Sequence, residues 1–162
     1  MREDLLKRYF MMEAQAADLV EDLRNSVTHL NAIVSKVAIE DMQDSFLVSR
    51  QHLIMLCDAF LLAKLTAEAI NTIAFALIAS DHFEWDDDTT SEVLHDWSAP
   101  EVNFPLNEET IKMHRSWLTN TAMPLQRQVN NQASPNNRLI SVREKIRPNH
   151  TVPPASSGKI KN

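Results

Sequence analysis

Apolar residues recur near the start of the chain at Leu5, Tyr9, Met12, Ala16, Leu19, Leu23, Val27, Leu30, Val34 and Val37. The steps alternate mostly between three and four, which is the spacing of one helical face. This predicts helix over residues 2–38, either one long helix or two broken near "RNSVTH", where Asn25 and Ser26 are weak helix formers. Two helices suit a compact domain better. The stripe then packs on its own chain, although it would also serve as a seam between two copies.

The next apolar set, Phe46, Leu47, Leu53, Ile54, Cys57, Phe60 and Leu61, predicts a helix with Asp44 or Ser45 as its cap. "LTAEAINTIAFALIASD" follows, with Thr66 as N-cap and Glu68 in the first turn. It has almost no polar residues after Thr72, which predicts a central, buried helix. Thr89-x-x-Glu92 fits a capping box and predicts a short helix to about Trp97. "SAPEVNFPLN" carries Pro100 and Pro105 and predicts an extended connector. Asn107 then caps a helix with Ile111, His114, Trp117 and Leu118 on one face. The fold class expected is all-α: a compact bundle of about five helices over residues 1–120. Residues 121–162 read as a basic, largely disordered tail, in which "LISVREKI" can form a turn of structure but could not hold a core alone.

Composition narrows the function. The 162-residue chain has one glycine, Gly158, so no phosphate-cradling glycine motif is present. The single Cys57 forbids an intrachain disulfide and a multi-cysteine zinc site, and its apolar neighbours mark it as core. The start lacks a secretory signal pattern, and the longest apolar run, "AINTIAFALIA", is far shorter than the ~20 residues that span a bilayer. A cytoplasmic location is expected.

Charge is unevenly spread. Residues 65–111 hold 11 acids and no Lys or Arg, whereas residues 112–162 hold 9 bases and 1 acid. Within the acidic block, "SDHFEWDDDTTSEVLHDW" concentrates seven acids around two tryptophans. A calcium loop starting at Asp86 would need glycine at its sixth position and glutamate at its twelfth; Ser91 and Trp97 stand there instead. His82 and His95 lack the spacing of a helical zinc pair. Three adjacent aspartates before a helix read as solvated, not as a carboxylate kept protonated for acid–base work. No metal, cofactor or catalytic residue is expected. The segment reads instead as a surface for a basic protein, with Glu84, Trp85, Asp86, Asp87, Asp88, Glu92 and Asp96 as the contacts. Such a surface repels nucleic acid. The bland alternative is that Trp85 and Trp97 cap the core while the aspartates face water.

"LCDAFLLAKLTAEAINTIAFALIASDHFEWDDD" resembles, over roughly residues 45–119, the bacterial helical immunity proteins that neutralise colicin- and pyocin-type nuclease toxins. The likeness is a general one, carried by two helices, a short polar break and an acidic patch, without an invariant motif. It implies an inhibitor whose acids occupy the toxin's basic substrate cleft, Glu84, Asp86, Asp87, Asp88, Glu92 and Asp96 among them. The basic tail departs from that pattern. A helical scaffold that self-associates through the N-terminal stripe is the alternative.

Overall fold

The computed structural model describes residues 1–29, 35–120 and 142–145. Six helices dominate the described residues: α1 (Glu3–Phe10), α2 (Ala16–Ser26), α3 (Arg50–Leu61), α4 (Ala67–Ala79), α5 (Asp88–Ser98) and α6 (Glu108–Thr119). The all-α expectation needs correction, because two small sheets accompany them. The first has the order β1-β2-β5, from β1 (Val27–His29), β2 (Ser35–Ile39) and β5 (Val142–Lys145). The second pairs β3 (Phe46–Leu47) with β4 (Phe83–Glu84) in parallel.

The N-terminal helical stripe is interrupted twice. The first break is Met11–Gln15, and at Val27 the helix gives way to β1. Val27, Thr28, Val37 and Ile39 are β-branched, and such side chains favour an extended backbone. β1 and β2 pair antiparallel with Val27 opposite Val37, and Val37 and Ile39 are buried. Most of the remaining stripe turns inward: Leu5, Tyr9, Ala16, Leu19 and Leu23 are all buried, so it packs on its own chain. Met12 is the exception, 80% exposed. Leu30 and Val34 lie outside the described residues, as does most of the expected disordered tail.

α4 occupies the centre. Ile70, Ile73, Ala74, Ala76 and Leu77 are fully buried. Each such Ile or Leu stabilises the fold by about 1.5–3 kcal/mol of removed apolar surface. Thr66 caps the helix as expected, its hydroxyl accepting from the Ala69 N–H at 3.1 Å. α3 packs along α6 and α5 along α4. Buried Glu3 ties α1 to the segment that follows β2 by accepting from the Met42 N–H at 2.9 Å.

The helix stops show how a body without glycine turns corners. Met12 (φ 62°) and Ala63 (φ 55°) both sit in the left-handed region just past a helix end. After α1, the Glu13 N–H donates to the Arg8 carbonyl at 2.8 Å and the Met12 N–H to the Tyr9 carbonyl at 2.9 Å. After α3, the N–H groups of Lys64 and Ala63 bond Ala59 and Phe60 in the same pattern, each at 2.8 Å. This is the Schellman arrangement, normally built on glycine because a Cβ is disfavoured there. Ala63→Gly is therefore expected to stabilise the domain by about 0.5–1 kcal/mol, read as a higher urea midpoint. A lower midpoint would show that Ala63 is not strained.

Candidate functional site: the acidic segment

The segment from His82 to Ser98 is a short strand, a bend and a helix, and its position is set from the strand end. The Phe46 N–H donates to the His82 carbonyl at 2.8 Å and the Val48 N–H to the Glu84 carbonyl at 2.7 Å. Phe46 and Phe83 point inward and meet edge-on with ring centroids 6.1 Å apart. Their neighbours Leu47 and Glu84, also paired in register, turn outward. Leu47 is 54% exposed, so an apolar residue from a distant part of the chain lies beside the acids.

Asp87 is the hinge of the segment. It is the N-cap of α5, its carboxylate accepting from the Thr90 N–H at 2.7 Å and the Thr90 hydroxyl at 2.9 Å. The expected cap at Thr89 is thus corrected. An aspartate two residues earlier already holds the free N–H groups, and the Thr89 hydroxyl accepts from Arg50 instead. Arg50, at the first turn of α3, grips the Asp87 carboxylate through both Nε, at 2.9 Å, and Nη2. Its Nη1 donates to the Asn120 carbonyl at 2.9 Å. One guanidinium thereby fastens the starts of α3 and α5 to the end of α6. The Arg50 hydrogen bonds, aided by those from Thr90, hold the Asp87 carboxyl down at about 2.

Asp96 is in a different place. It is fully buried on α5, beside Trp97 and across from His114 of α6. The helical period explains this: Thr89, Val93, Asp96 and Trp97 share the inward face of α5, all of them buried. The Trp97 indole N–H donates to His114 Nδ1 at 3.0 Å. An indole nitrogen only donates, so Nδ1 is an acceptor and the ring proton sits on Nε2. Nε2 faces Asp96 Oδ2 at 3.4 Å, within ion-pair distance but outside hydrogen-bond geometry. Phe104, from the proline-bounded connector, and Trp117 close over His114 edge-on, at 5.8 and 5.0 Å. A carboxylate beside an imidazole invites an acid–base reading. Here the second ring nitrogen is bonded to Trp97 and the whole group is sealed from solvent, so it locks α5 to α6.

The seven residues expected as contacts therefore divide. Glu84, Asp86 and Asp88 are exposed, and Trp85 is half-buried against the core. Glu92 is half-buried. Asp87 is half-buried and engaged by Arg50 and its own helix, and Asp96 is buried in the interior instead of standing on the surface where a contact was expected. Sequence reasoning missed Leu47 and Arg50, because only the parallel β3–β4 pairing and the folded position of α3 bring them to the segment.

Comparison with known protein families, curated proteins and solved structures finds no match.

Other features lie elsewhere. Cys57 is buried and its thiol is pushed up to about 12, chiefly by desolvation and then by the neighbouring Asp58. A polar cleft of about 490 Å³ runs between α1 and α2, with Arg2, Arg8, Asp18 and Asp22 in its lining. A more apolar one of about 450 Å³ lies between α2 and α4, lined in part by Val20, Leu23, Val27 and Ala69. Neither is lined by the acidic segment. Among the described residues, no three His, Cys, Asp or Glu side chains are grouped to hold a metal ion, and no helix is long and apolar enough to cross a membrane.

Proposed function

We propose that this chain is a non-enzymatic binding protein that presents Glu84, Trp85, Asp86 and Asp88, with Leu47 beside them, to a basic protein partner. The resemblance to immunity proteins suggests a nuclease-type toxin as that partner. The observation that carries the reading is the arrangement at the start of α5. Three exposed carboxylates surround a half-buried tryptophan on a loop pinned from below by Arg50. Aromatic anchors in a fixed loop supply affinity, and the surrounding charge steers a basic surface into place. The burial of most of the described N-terminal stripe favours this reading over a scaffold that self-associates through it.

The test must spare Asp87, whose reversal would also break the cap and the Arg50 contact. Glu84→Lys/Asp86→Lys/Asp88→Lys should leave the helical signal and urea midpoint close to wild type. The affinity for a basic protein captured from the native cell should fall by roughly a hundredfold, since like-charge juxtaposition costs several kcal/mol. Reversing the exposed Glu13 and Glu21 on the other part of the domain serves as the control and should change affinity little. Equal binding by wild type and triple variant would refute the assignment.

A further inference from the structure

β2 is the middle strand of its sheet, with β1 on one edge and β5 on the other. The two neighbours differ in kind. β1 follows α2 directly and pairs antiparallel over Val27–His29. β5 comes from far along the chain and pairs parallel, with Lys36, Val37, Ala38 and Ile39 opposite Val142, Arg143, Glu144 and Lys145. β2 itself is well anchored, because buried Val37 and Ile39 fix it to the core. β5 reads "VREK", three charged residues of four, and a main-chain ladder of four residue pairs joins it to β2.

A fixed strand that lends its edge to a weakly held neighbour is an acceptor edge. An unpaired edge is a template for any extended chain, including the same strand of another molecule. We propose that residues 142–145 guard the edge of β2 in cis, and that removing them hands this edge to a second copy of the chain. The second copy is the occupant to expect because β2 can meet itself about a two-fold axis, "SKVAI" against "SKVAI", with the same β-branched residues on both sides. In the intact chain the resident strand has the advantage of its tether. A strand of the same chain meets β2 at an effective concentration of about the millimolar range, which a free copy at micromolar concentration cannot match.

Two full-length variants test this. In Ala38→Cys/Glu144→Cys the thiols replace directly opposed residues, and buried Cys57 stays out of the exchange. Oxidation at low concentration should link the strand within one chain, and the locked protein should stay monomeric in sedimentation velocity at every concentration reached. A link between two chains, no link, or association of the locked form overturns the proposal. In Arg143→Pro/Glu144→Pro one of two consecutive N–H groups necessarily faces β2, and both are removed. This variant should dimerise roughly a hundredfold more tightly than wild type, the order of advantage that a tether confers. Arg143→Gln/Glu144→Gln removes the same charges but keeps both N–H groups, and should behave as wild type. A monomeric proline variant with wild-type circular dichroism, or a glutamine variant that dimerises equally, also overturns the proposal.

Discussion

Trp97→Ala is expected to destabilise the domain by about 3–5 kcal/mol, the usual cost of emptying a large aromatic site in a core. Trp97 has no exposed surface and stands where α5 meets α6, so the space it vacates is walled on all sides. The loss has a second part, because its indole is the donor to His114 Nδ1 at 3.0 Å, and without it a buried acceptor has no partner there. Trp97→Phe separates the two. It keeps much of the ring volume but removes the N–H, and should cost about 1–3 kcal/mol, the penalty of stranding a buried polar atom. Urea titrations at constant slope measure both. Since domains of this size have only about 5–15 kcal/mol in hand, the alanine variant should stand close to unfolding at ambient temperature. A phenylalanine variant as stable as wild type would mean that the Trp97–His114 bond contributes nothing and that packing alone joins the two helices.

The second large effect is acid sensitivity through Asp87. Arg50 and Thr90 hold its carboxyl at about 2, against an ordinary 3.8. Because the folded value is the lower one, the stabilisation is fully present above 3.8 and is lost as pH falls through 3.8 toward 2. The difference corresponds to about 2 kcal/mol at neutral pH. Asp87→Asn should forfeit most of that while retaining a good capping side chain, and its stability should be flatter between pH 5 and 2. Asp87→Ala should lose the cap as well, for a total of roughly 3 kcal/mol. If Asp87→Asn unfolds along the same acid curve as wild type, the carboxylate is not the group that Arg50 stabilises.

Much of the helical body was legible from the residues alone. Thr66 and Asn107 stand where caps were expected, and the uniformly apolar run after Thr72 is the buried α4. The strands were not legible for two different reasons. At Val27 and Val37 the apolar spacing continues the helical count by coincidence, so periodicity masked the β-branched content of the two strands. In Phe46–Leu47 and Phe83–Glu84 two residues are too few for any period, and only the partner strand makes them a strand. The acidic segment was misread where charge was counted without position. Asp96 follows Val93 by three and precedes Trp97, and a helical projection from Thr89 turns it inward beside them. Asp87 differs, because nothing local reveals that an arginine 37 residues earlier will claim it.

The parallel pairing of β3 with β4 bears on the order of events in folding. Parallel neighbours cannot be joined by a tight turn, and the whole α3–α4 helical pair lies between them. Each of these helices closes its own turns locally, whereas the two-residue ladder closes only once its ends have been brought together. The same ladder is expected to open more readily than the helices when the native protein fluctuates, since each side contributes only two residues. Glu84 therefore stands on a part of the domain that assembles late, while Asp86 and Asp88 flank the Asp87 carboxylate that Arg50 holds. A ligand held there would slow amide exchange at Phe46–Val48 and His82–Glu84 well before it altered the turnover of α4.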